Sequence, residues 1–405
     1  MPSKIIGIVP SILLLFLLFD FLLFSSRTTI NNNFYFDWDG IVINGNFCWI
    51  ATWKITDRCN LRCTYCDPAV MKRAGAPEEV DRFEALGRIA RYRPRILNIS
   101  GGEPALVEEL PDLLRRAKEG WNPFIRIVHN GTAPQKLESG FPYMDRLVVS
   151  IDGPGEINAA TRGLSGDVVL ERIANLRFPA GSGPEIIVNT VVTEKNLDAL
   201  PLFASQIAAV SPRVALSLLP VMPVDSELSV LRDREAGYRR FLDVFAKIKS
   251  AHGAVAHNLD CIMRHGDLRK IQCYNQYFSV RFSPRGELFT CGAGIGSQLR
   301  RTDRAFMKVF KKGGLRKLFT MLSRAVKGRM GKVDFTCRNI CNCESWLDML
   351  LLGRDTEYAP VLLRGFRGRL SDDDYIELDE FVKANINPDF DVKRFRNMVD
   401  RAQCL

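Results

Sequence analysis

Histidine is scarce in this chain, and the first cysteine group, Cys59/Cys63/Cys66, has no second group near it. Four histidines occur in 405 residues, which favours chemistry based on sulfur over chemistry based on a network of imidazoles. The first cysteine group ends at Cys66, and the next cysteine is Cys261. Structural zinc usually takes four ligands from two spaced pairs. The missing pair disfavours a zinc knuckle, which stays as the alternative interpretation.

Positive and negative charges are nearly balanced over most of the chain. The formal net charge is +10, but residues 300–332 contain twelve Lys and Arg against one Asp, a local +11 that leaves −1 elsewhere. We therefore expect no nucleic-acid partner. Apolar residues recur near helical spacing within this basic stretch, so it is predicted to form amphipathic helix. Its basic face is solvated by default; the alternative is contact with an acidic peptide substrate or anionic lipid.

No cleavage motif of small residues follows the one long hydrophobic run, residues 5–24. The run is long enough to cross a bilayer, although Pro10 and Asp20 interrupt it. Without a cleavage motif, removal after export is disfavoured. Three interpretations of residues 1–30 stay open: a membrane anchor, an uncleaved signal-like segment, or an artefact of a start codon placed too far upstream.

Cysteine, in contrast, is plentiful. The chain has eleven cysteines, and two groups of three stand out, Cys59/Cys63/Cys66 and Cys337/Cys341/Cys343. This grouping favours metal clusters in a reducing compartment over a disulfide framework. The first group has the spacing C-x-x-x-C-x-x-C. Three thiolates on a short loop can hold three irons of a four-iron cluster, which leaves the fourth iron free to bind a small chelating molecule.

The loop Thr56–Asp67 resembles the cluster loop of the radical S-adenosylmethionine (radical SAM) enzymes, including the aromatic Tyr65 before the third cysteine. The resemblance implies that the three cysteines hold a 4Fe-4S cluster whose open iron is chelated by S-adenosylmethionine. It also implies reductive cleavage of that molecule to a 5'-deoxyadenosyl radical, which abstracts hydrogen from a substrate. Such clusters need a reducing environment, so the catalytic body is expected in the cytoplasm, with membrane anchoring by the N-terminal segment as an addition.

Strand-like and helix-like segments alternate after this loop. The strand at residues 50–56 is followed by strand-like segments at 95–100, 124–129, 146–151, 185–192 and 213–219. The helix-like segments lie at 81–92, 107–119, 168–176, 197–209 and 234–250. This alternation predicts an α/β fold with a parallel sheet, either open or closed into a barrel. The family resemblance implies a partial (β/α)6 TIM-like barrel, with ligands at the carboxyl ends of the strands.

Short polar motifs follow several of these strands. Gly101 and Gly102 would let the backbone approach a ligand, and Glu103 would accept a hydrogen bond from a cation. The resemblance implies that this segment holds the methionine amino group. Asn-Gly and Asp-Gly pairs taken singly are as readily tight turns. In the family context, the residues implied in cofactor binding are Tyr65, Gly101, Gly102, Glu103, Asn130, Ser150, Asp152 and Arg162.

Arg162 lies twelve residues after Ser150. Related peptide-modifying enzymes carry an arginine there that pairs with the methionine carboxylate, and the forked guanidinium suits a carboxylate. Ser150 is implied to bind the ribose or the carboxylate. No residue is identified as the catalytic acid, base or hydrogen donor.

The cysteines after residue 256 resemble those of the SPASM extension or its shorter twitch form, which bind auxiliary iron–sulfur clusters. A hairpin is predicted around Pro284-Arg285-Gly286, between Cys273 and Cys291. We expect one auxiliary 4Fe-4S cluster, with Cys261 as a spare ligand and zinc as the alternative metal. Its ligands would be Cys273, Cys291 and two of Cys337, Cys341 and Cys343.

The predicted organisation has four parts. Residues 1–30 form the hydrophobic segment, 47–255 the radical SAM core, 256–352 the SPASM or twitch-like auxiliary cluster domain, and 353–405 a helical tail. In the tail, Ser371 is expected to cap one helix and a second helix to begin near Asp391.

By analogy with the family, the predicted substrate is a peptide or protein side chain, with a cofactor precursor or other small molecule as the alternative. The predicted reductant is a flavodoxin or ferredoxin. An interpretation of another class is a non-catalytic iron–sulfur or zinc scaffold.

Overall fold

The computed structural model describes residues 49–66, 72–179, 183–211, 213–220, 236–252, 279–289, 363–385 and 387–402, and two short strands before them. Chain contacts divide the protein into two units, Met1–Asn46 and Phe47–Leu405. Strands β1 (Phe34–Phe36) and β2 (Val42–Asn44) pair antiparallel in the first unit. The second unit contains all the other elements.

Several predictions fall on residues outside the described ranges. They concern the hydrophobic run at 5–24, the basic stretch at 300–332, and the cysteines Cys261, Cys273, Cys291, Cys337, Cys341 and Cys343. The predicted membrane contact and auxiliary cluster therefore stay predictions. Among the described residues, no helix combines the length and apolar character needed to cross a bilayer.

The second unit is built on one sheet of eight strands. The strands are β3 (Ile50–Thr56), β6 (Ile96–Gly101), β7 (Phe124–His129), β8 (Arg146–Ser150), β9 (Glu185–Val192), β10 (Val214–Pro220), β11 (Ser279–Phe282) and β12 (Leu288–Phe289). Their spatial order is β10-β9-β8-β7-β6-β3-β11-β12, and neighbouring strands are parallel except in the β11–β12 hairpin. A separate parallel pair joins β4 (Arg58–Cys59) and β5 (Lys72–Arg73).

Strand order decides between the two architectures that the sequence left open. From β3 through β6 to β10, each strand of this sheet lies beside the strand of the sheet that follows it in the chain, and the order never reverses. A doubly wound sheet reverses its order at a switch point. Right-handed crossovers that all progress in one direction place the helices on one face of the sheet. The fold is therefore the predicted α/β partial barrel, and the predicted hairpin around Pro284–Gly286 is confirmed as β11–β12.

Eight helices are described. They are α1 (Arg82–Ala90), α2 (Leu110–Trp121), α3 (Gly155–Arg162), α4 (Gly166–Ala174), α5 (Leu200–Val210), α6 (Ala236–His252), α7 (Asp372–Asn385) and α8 (Val392–Asp400), with 3-10 turns at Pro104–Leu106, Pro134–Tyr143, Leu197–Ala199 and Arg364–Phe366. The sequence prediction missed α3. This helix has eight residues, begins at Gly155 and ends at Arg162, directly before Gly163, which has φ of +80°. Its glycines obscure the helical signal.

Alternate residues of each strand face two different environments. Leu147 and Val149 of β8 belong to the main core with apolar residues of the helices, such as Phe203. Val148, between them, packs with Ile187 and Ala215. Side chains of a strand alternate between its two faces, so the first set lies on the helix-covered face and the second inside the curved sheet.

The C-terminal helices pack at the amino ends of the strands. Trp49 and the first residues of three strands, Ile50, Ile96 and Phe124, form one cluster with apolar side chains of residues 363–402. The Arg95 Nη2 to Asp374 Oδ2 contact of 2.9 Å joins the same regions. Two expectations for the tail are confirmed: Ser371 caps α7, and the second helix begins directly after Asp391. These helices cover the amino edge of the sheet, opposite the edge that carries the cysteine loop.

Candidate metal centre

The cysteine loop follows β3 at the carboxyl edge of the sheet. Its three cysteines have free thiols and differ in exposure: Cys59 is buried, Cys63 is half-buried and Cys66 is exposed. Cys59 lies in β4, and the Cys66 N–H donates to the Cys63 carbonyl across 3.1 Å. We call residues 56–59 the inner half of the loop and residues 64–66 the outer half.

Main-chain contacts hold the inner half. The Gly102 N–H donates to the Thr56 carbonyl and the Glu103 N–H to the Arg58 carbonyl, both at 2.7 Å. A Cβ atom at Gly102 would lie 1.8 Å from the Arg58 carbonyl oxygen, and one at Gly101 would lie 2.4 Å from that of Thr56. The two glycines are therefore required by the close approach of the loop backbone. Their predicted contact with a cofactor stays a prediction.

Glu78 also holds the inner half, and the sequence prediction missed it. One carboxylate oxygen accepts from Thr56 Oγ1 at 2.6 Å and the other from the Asp57 N–H at 2.9 Å. The same carboxylate forms an ion pair with Arg82 of α1. No local signal marks this residue, because it lies 22 positions after Thr56.

Glu103 connects the ends of β6 and β7. Its carboxylate accepts from the Ala105 and Asn130 N–H groups, both at 2.8 Å, and its residue surface is 1% exposed. Burial raises the pKa of Glu103 to about 7. His129 Nε2 lies 3.5 Å from the same carboxylate, and burial lowers the pKa of His129 to about 3, so its imidazole is neutral at pH 7. The predicted contact of Glu103 with a ligand amine stays a prediction.

Asn130 lies beside the buried cysteine. Its Nδ2 donates to Asn60 Oδ1 at 2.7 Å and lies 3.8 Å from Cys59 Sγ. Asn60 Nδ2 donates to Thr132 Oγ1 at 2.9 Å, and this hydroxyl donates to Asn130 Oδ1 at 2.7 Å. The three side chains form a closed ring of hydrogen bonds that joins the loop to the end of β7. The sequence prediction named Asn130 but missed Asn60 and Thr132.

Side-chain contacts hold the outer half. Asp152 is fully buried and receives two hydrogen bonds from Arg162, Nε to Oδ2 at 2.9 Å and Nη2 to Oδ1 at 3.0 Å. The Tyr65 hydroxyl donates to Asp152 Oδ2 at 2.6 Å, and the Val191 N–H donates to Oδ1 at 3.1 Å. Arg162 also lies 5.4 Å from the centre of the Tyr65 ring, which is a cation–π contact.

A main-chain hydrogen bond also holds the outer half of the loop. The Thr64 N–H donates to the Thr161 carbonyl at 2.9 Å, at the end of α3. Ser150 ends β8, is buried, and pairs in register with Asn189 of β9. The structure thus brings all eight predicted cofactor-binding residues to the carboxyl edge of the sheet, around the cysteine loop. It pairs Asp152 with Arg162, which the sequence prediction treated as separate ligand contacts.

The chemistry of the loop fits an iron–sulfur cluster. A hydrogen bond from the Cys63 thiol and the nearby Arg162 guanidinium together lower the pKa of Cys66 to about 6. The thiolate is the form that binds metal. Within the described ranges, no three His, Cys, Asp or Glu side chains converge on a single metal ion. Cysteines that each bind a different iron of one cluster do not have to converge in this way.

Comparison with protein-family models matches residues 53–178 to the Radical SAM superfamily. Among curated proteins, "Pre-heme d1 synthase" of Dinoroseobacter shibae is 32% identical over 161 residues, which cover 38% of each chain. "GTP 3',8-cyclase" of Lactiplantibacillus plantarum is 34% identical over 140 residues, 30% of this chain and 39% of that one. The chain thus spans 38–39% of the length of these relatives.

Among solved structures, SuiB of Streptococcus suis is 14% identical, and the match covers 63% of this chain and 62% of SuiB with a TM-score of 0.45.

Proposed function

We propose, because residues 53–178 match the Radical SAM superfamily, that this protein is an enzyme that reductively cleaves S-adenosylmethionine and abstracts a hydrogen atom from a substrate. The observation that carries this proposal is the cysteine loop: three free thiols at the carboxyl edge of a partial barrel. In this family, a 4Fe-4S cluster supplies the electron that cleaves the sulfonium to methionine and a 5'-deoxyadenosyl radical.

The protein's own residues would bind and orient the reactants. Cys59, Cys63 and Cys66 would each hold one iron. The Arg162 guanidinium uses Nε and one N–H of Nη2 for Asp152, so a ligand carboxylate would take the remaining N–H groups on Nη1 and Nη2. The Asn130 amide near Cys59 Sγ would donate to a cluster ligand, a contact that tunes the reduction potential of such clusters.

For the substrate, we propose a cofactor precursor or related small molecule. The support comes from the curated relatives, whose names refer to heme d1 synthesis and to GTP cyclisation. A peptide or protein side chain, which the sequence resemblance predicts, is the second candidate. The remaining parts of the proposal are a single auxiliary 4Fe-4S cluster, reduction by a flavodoxin or ferredoxin, and a cytoplasmic catalytic body.

The first test is anaerobic reconstitution of the full chain, followed by iron and sulfide analysis and measurement of 5'-deoxyadenosine with dithionite as reductant. The Cys59/Cys63/Cys66→Ala triple variant is compared with a Cys48/Cys404→Ala variant, which removes cysteines outside both groups. We expect about eight irons in the parent and control and about four in the triple variant, because each cluster contains four irons. Only the parent and control should form the nucleoside.

Other outcomes separate the parts of the proposal. About four irons in the parent and none in the triple variant would support cleavage without an auxiliary cluster. Bound zinc, or nucleoside formation that survives the triple substitution, would contradict the proposal and favour the scaffold interpretation. For the substrate, GTP and a mixture of short peptides are compared by the increase in nucleoside formation that each causes.

A further inference from the structure

The three contacts that converge on Asp152 come from three separate parts of the chain. Tyr65 belongs to the cysteine loop, Arg162 to the end of α3, and Val191 to β9. The Asp152 main chain is held as well: its N–H donates to Asn158 Oδ1 at 2.7 Å, and its carbonyl accepts from Asn196 Nδ2 at 2.6 Å. The Asp152 main chain is thus held by residues that lie outside the cysteine loop.

The Tyr65 contact falls between the second and third cysteines of the loop. Thr64 and Tyr65 lie between Cys63 and Cys66, and they bind α3 and Asp152 through a main-chain and a side-chain hydrogen bond. Arg162 lies over the Tyr65 ring while it pairs with Asp152. Two cysteines therefore flank a dipeptide that is held at both its backbone and its side chain.

We infer that Asp152 is a positioning residue, not a cofactor ligand: it holds Tyr65 and Arg162 so that the outer half of the cysteine loop has its shape before any ligand binds. Both carboxylate oxygens already accept hydrogen bonds from protein groups. A fully buried carboxylate with these partners has no surface to offer a cofactor. It acts through Tyr65, which sets the Cys63–Cys66 turn, and through Arg162, whose guanidinium it orients.

The test measures amide hydrogen exchange in the full chain, purified anaerobically and freed of metal, and follows peptides that cover residues 60–66. We expect Tyr65→Phe and Asp152→Asn each to speed exchange in this segment about tenfold, since each removes contacts that limit local opening. The double variant should exchange no faster than Asp152→Asn alone, because both substitutions act on one contact.

Asp145→Asn is the matched control. Asp145 is also paired with a cation, Lys118, and accepts from the Ile125 N–H at 2.7 Å, but it precedes β8 at the amino edge of the sheet. It should leave exchange at 60–66 unchanged. Equal exchange at 60–66 in all variants would overturn the inference. So would faster exchange of the whole sheet in both Tyr65→Phe and Asp152→Asn, which would indicate a general structural role.

A second readout uses the reconstituted full chain. We expect Asp152→Asn to retain the parent iron content and to bind S-adenosylmethionine about tenfold more weakly, because Arg162 loses its charged partner. Unchanged affinity would contradict the orienting role. This part rests on the proposed function, whereas the exchange experiment does not. Absence of 5'-deoxyadenosine from the parent would defeat the proposed function and leave the exchange result intact.

Discussion

The two halves of the cysteine loop are held by different kinds of contact. The inner half is fixed by backbone hydrogen bonds from Gly102 and Glu103 at 2.7 Å, at a spacing that excludes a Cβ atom. The outer half is fixed by side chains, above all the pairing of Asp152 with Arg162 and Tyr65. Close backbone packing thus distinguishes the inner half, which Glu78 also holds, and a buried charge pair distinguishes the outer half. Substitutions can separate the two.

The largest effect is expected for Asp152→Ala, which attacks the outer half. It leaves Arg162 buried without its carboxylate, and breaking a buried ion pair from one side costs about 4 kcal/mol. Urea unfolding of the metal-free full chain measures this loss. Asp167→Ala is the control, because Asp167 is exposed and accepts one hydrogen bond from the Gly155 N–H at 3.2 Å. Similar losses for both variants would contradict the role assigned to charge.

Gly102→Ala disrupts the inner half by adding a methyl group without changing any charge. The added methyl group would overlap the Arg58 carbonyl oxygen, and relief requires a shift of the backbone, at a cost of about 3 kcal/mol. Thermal unfolding of the metal-free protein measures the change. Gly87→Ala is the matched control: no atom lies within 4 Å of its Cβ position in α1, so it should stabilise the helix by about 0.8 kcal/mol. A stable Gly102→Ala variant would refute the steric argument.

A pH dependence should arise beside the inner half, from Glu103. Its pKa is about 7 in the folded protein and 4.5 ordinarily. The folded state therefore holds a proton that the unfolded state has lost, and stability falls as pH rises from 4.5 through 7. The Glu103 contribution to stability falls by about 2 kcal/mol between pH 5 and pH 7 by linkage. In urea unfolding, the stability of Glu103→Gln relative to the parent should therefore rise by about 2 kcal/mol over this range.

The contribution of His129 to stability has the opposite dependence on pH. Its pKa falls from 6.5 to about 3 on folding, so its contribution is present above 6.5 and is lost as pH falls from 6.5 towards 3. The Glu103→Gln variant should therefore lose stability on acidification below pH 6.5, whereas the parent has two opposing slopes. A difference in stability between variant and parent that stays constant from pH 5 to pH 7 would contradict the role of Glu103.

The smallest effect on stability is expected from serine substitutions at two cysteines of the loop, one buried and one exposed. Cys59→Ser buries a hydroxyl group, since Cys59 is 8% exposed, and should cost about 1–2 kcal/mol in the metal-free protein. Cys66→Ser alters an exposed side chain and should change stability by less than about 0.5 kcal/mol. Both variants should lose iron on reconstitution. Equal stability of the two metal-free variants would remove the distinction between buried and exposed halves.

Much of the fold was predictable because its signals are local. Strands β7 and β9 coincide with the predicted segments 124–129 and 185–192. Runs of apolar residues between turn residues are typical of buried parallel strands. Helix α3 was missed, since it begins with a glycine and is followed by another. The order of the strands follows from how the segments pack, and no short stretch of sequence encodes it.

The sequence alone determined the ligand spacing of the cysteine loop, the succession of strands and helices, and the polar motifs at strand ends, because each is a pattern within a few neighbouring residues. Only the tertiary structure decided what those motifs do. Tyr65 and Asp152 are 87 residues apart, and Gly102 meets Arg58 only because β3 and β6 are neighbours in the sheet. Contacts between distant residues depend on packing of the whole sheet, which leaves no local pattern to read.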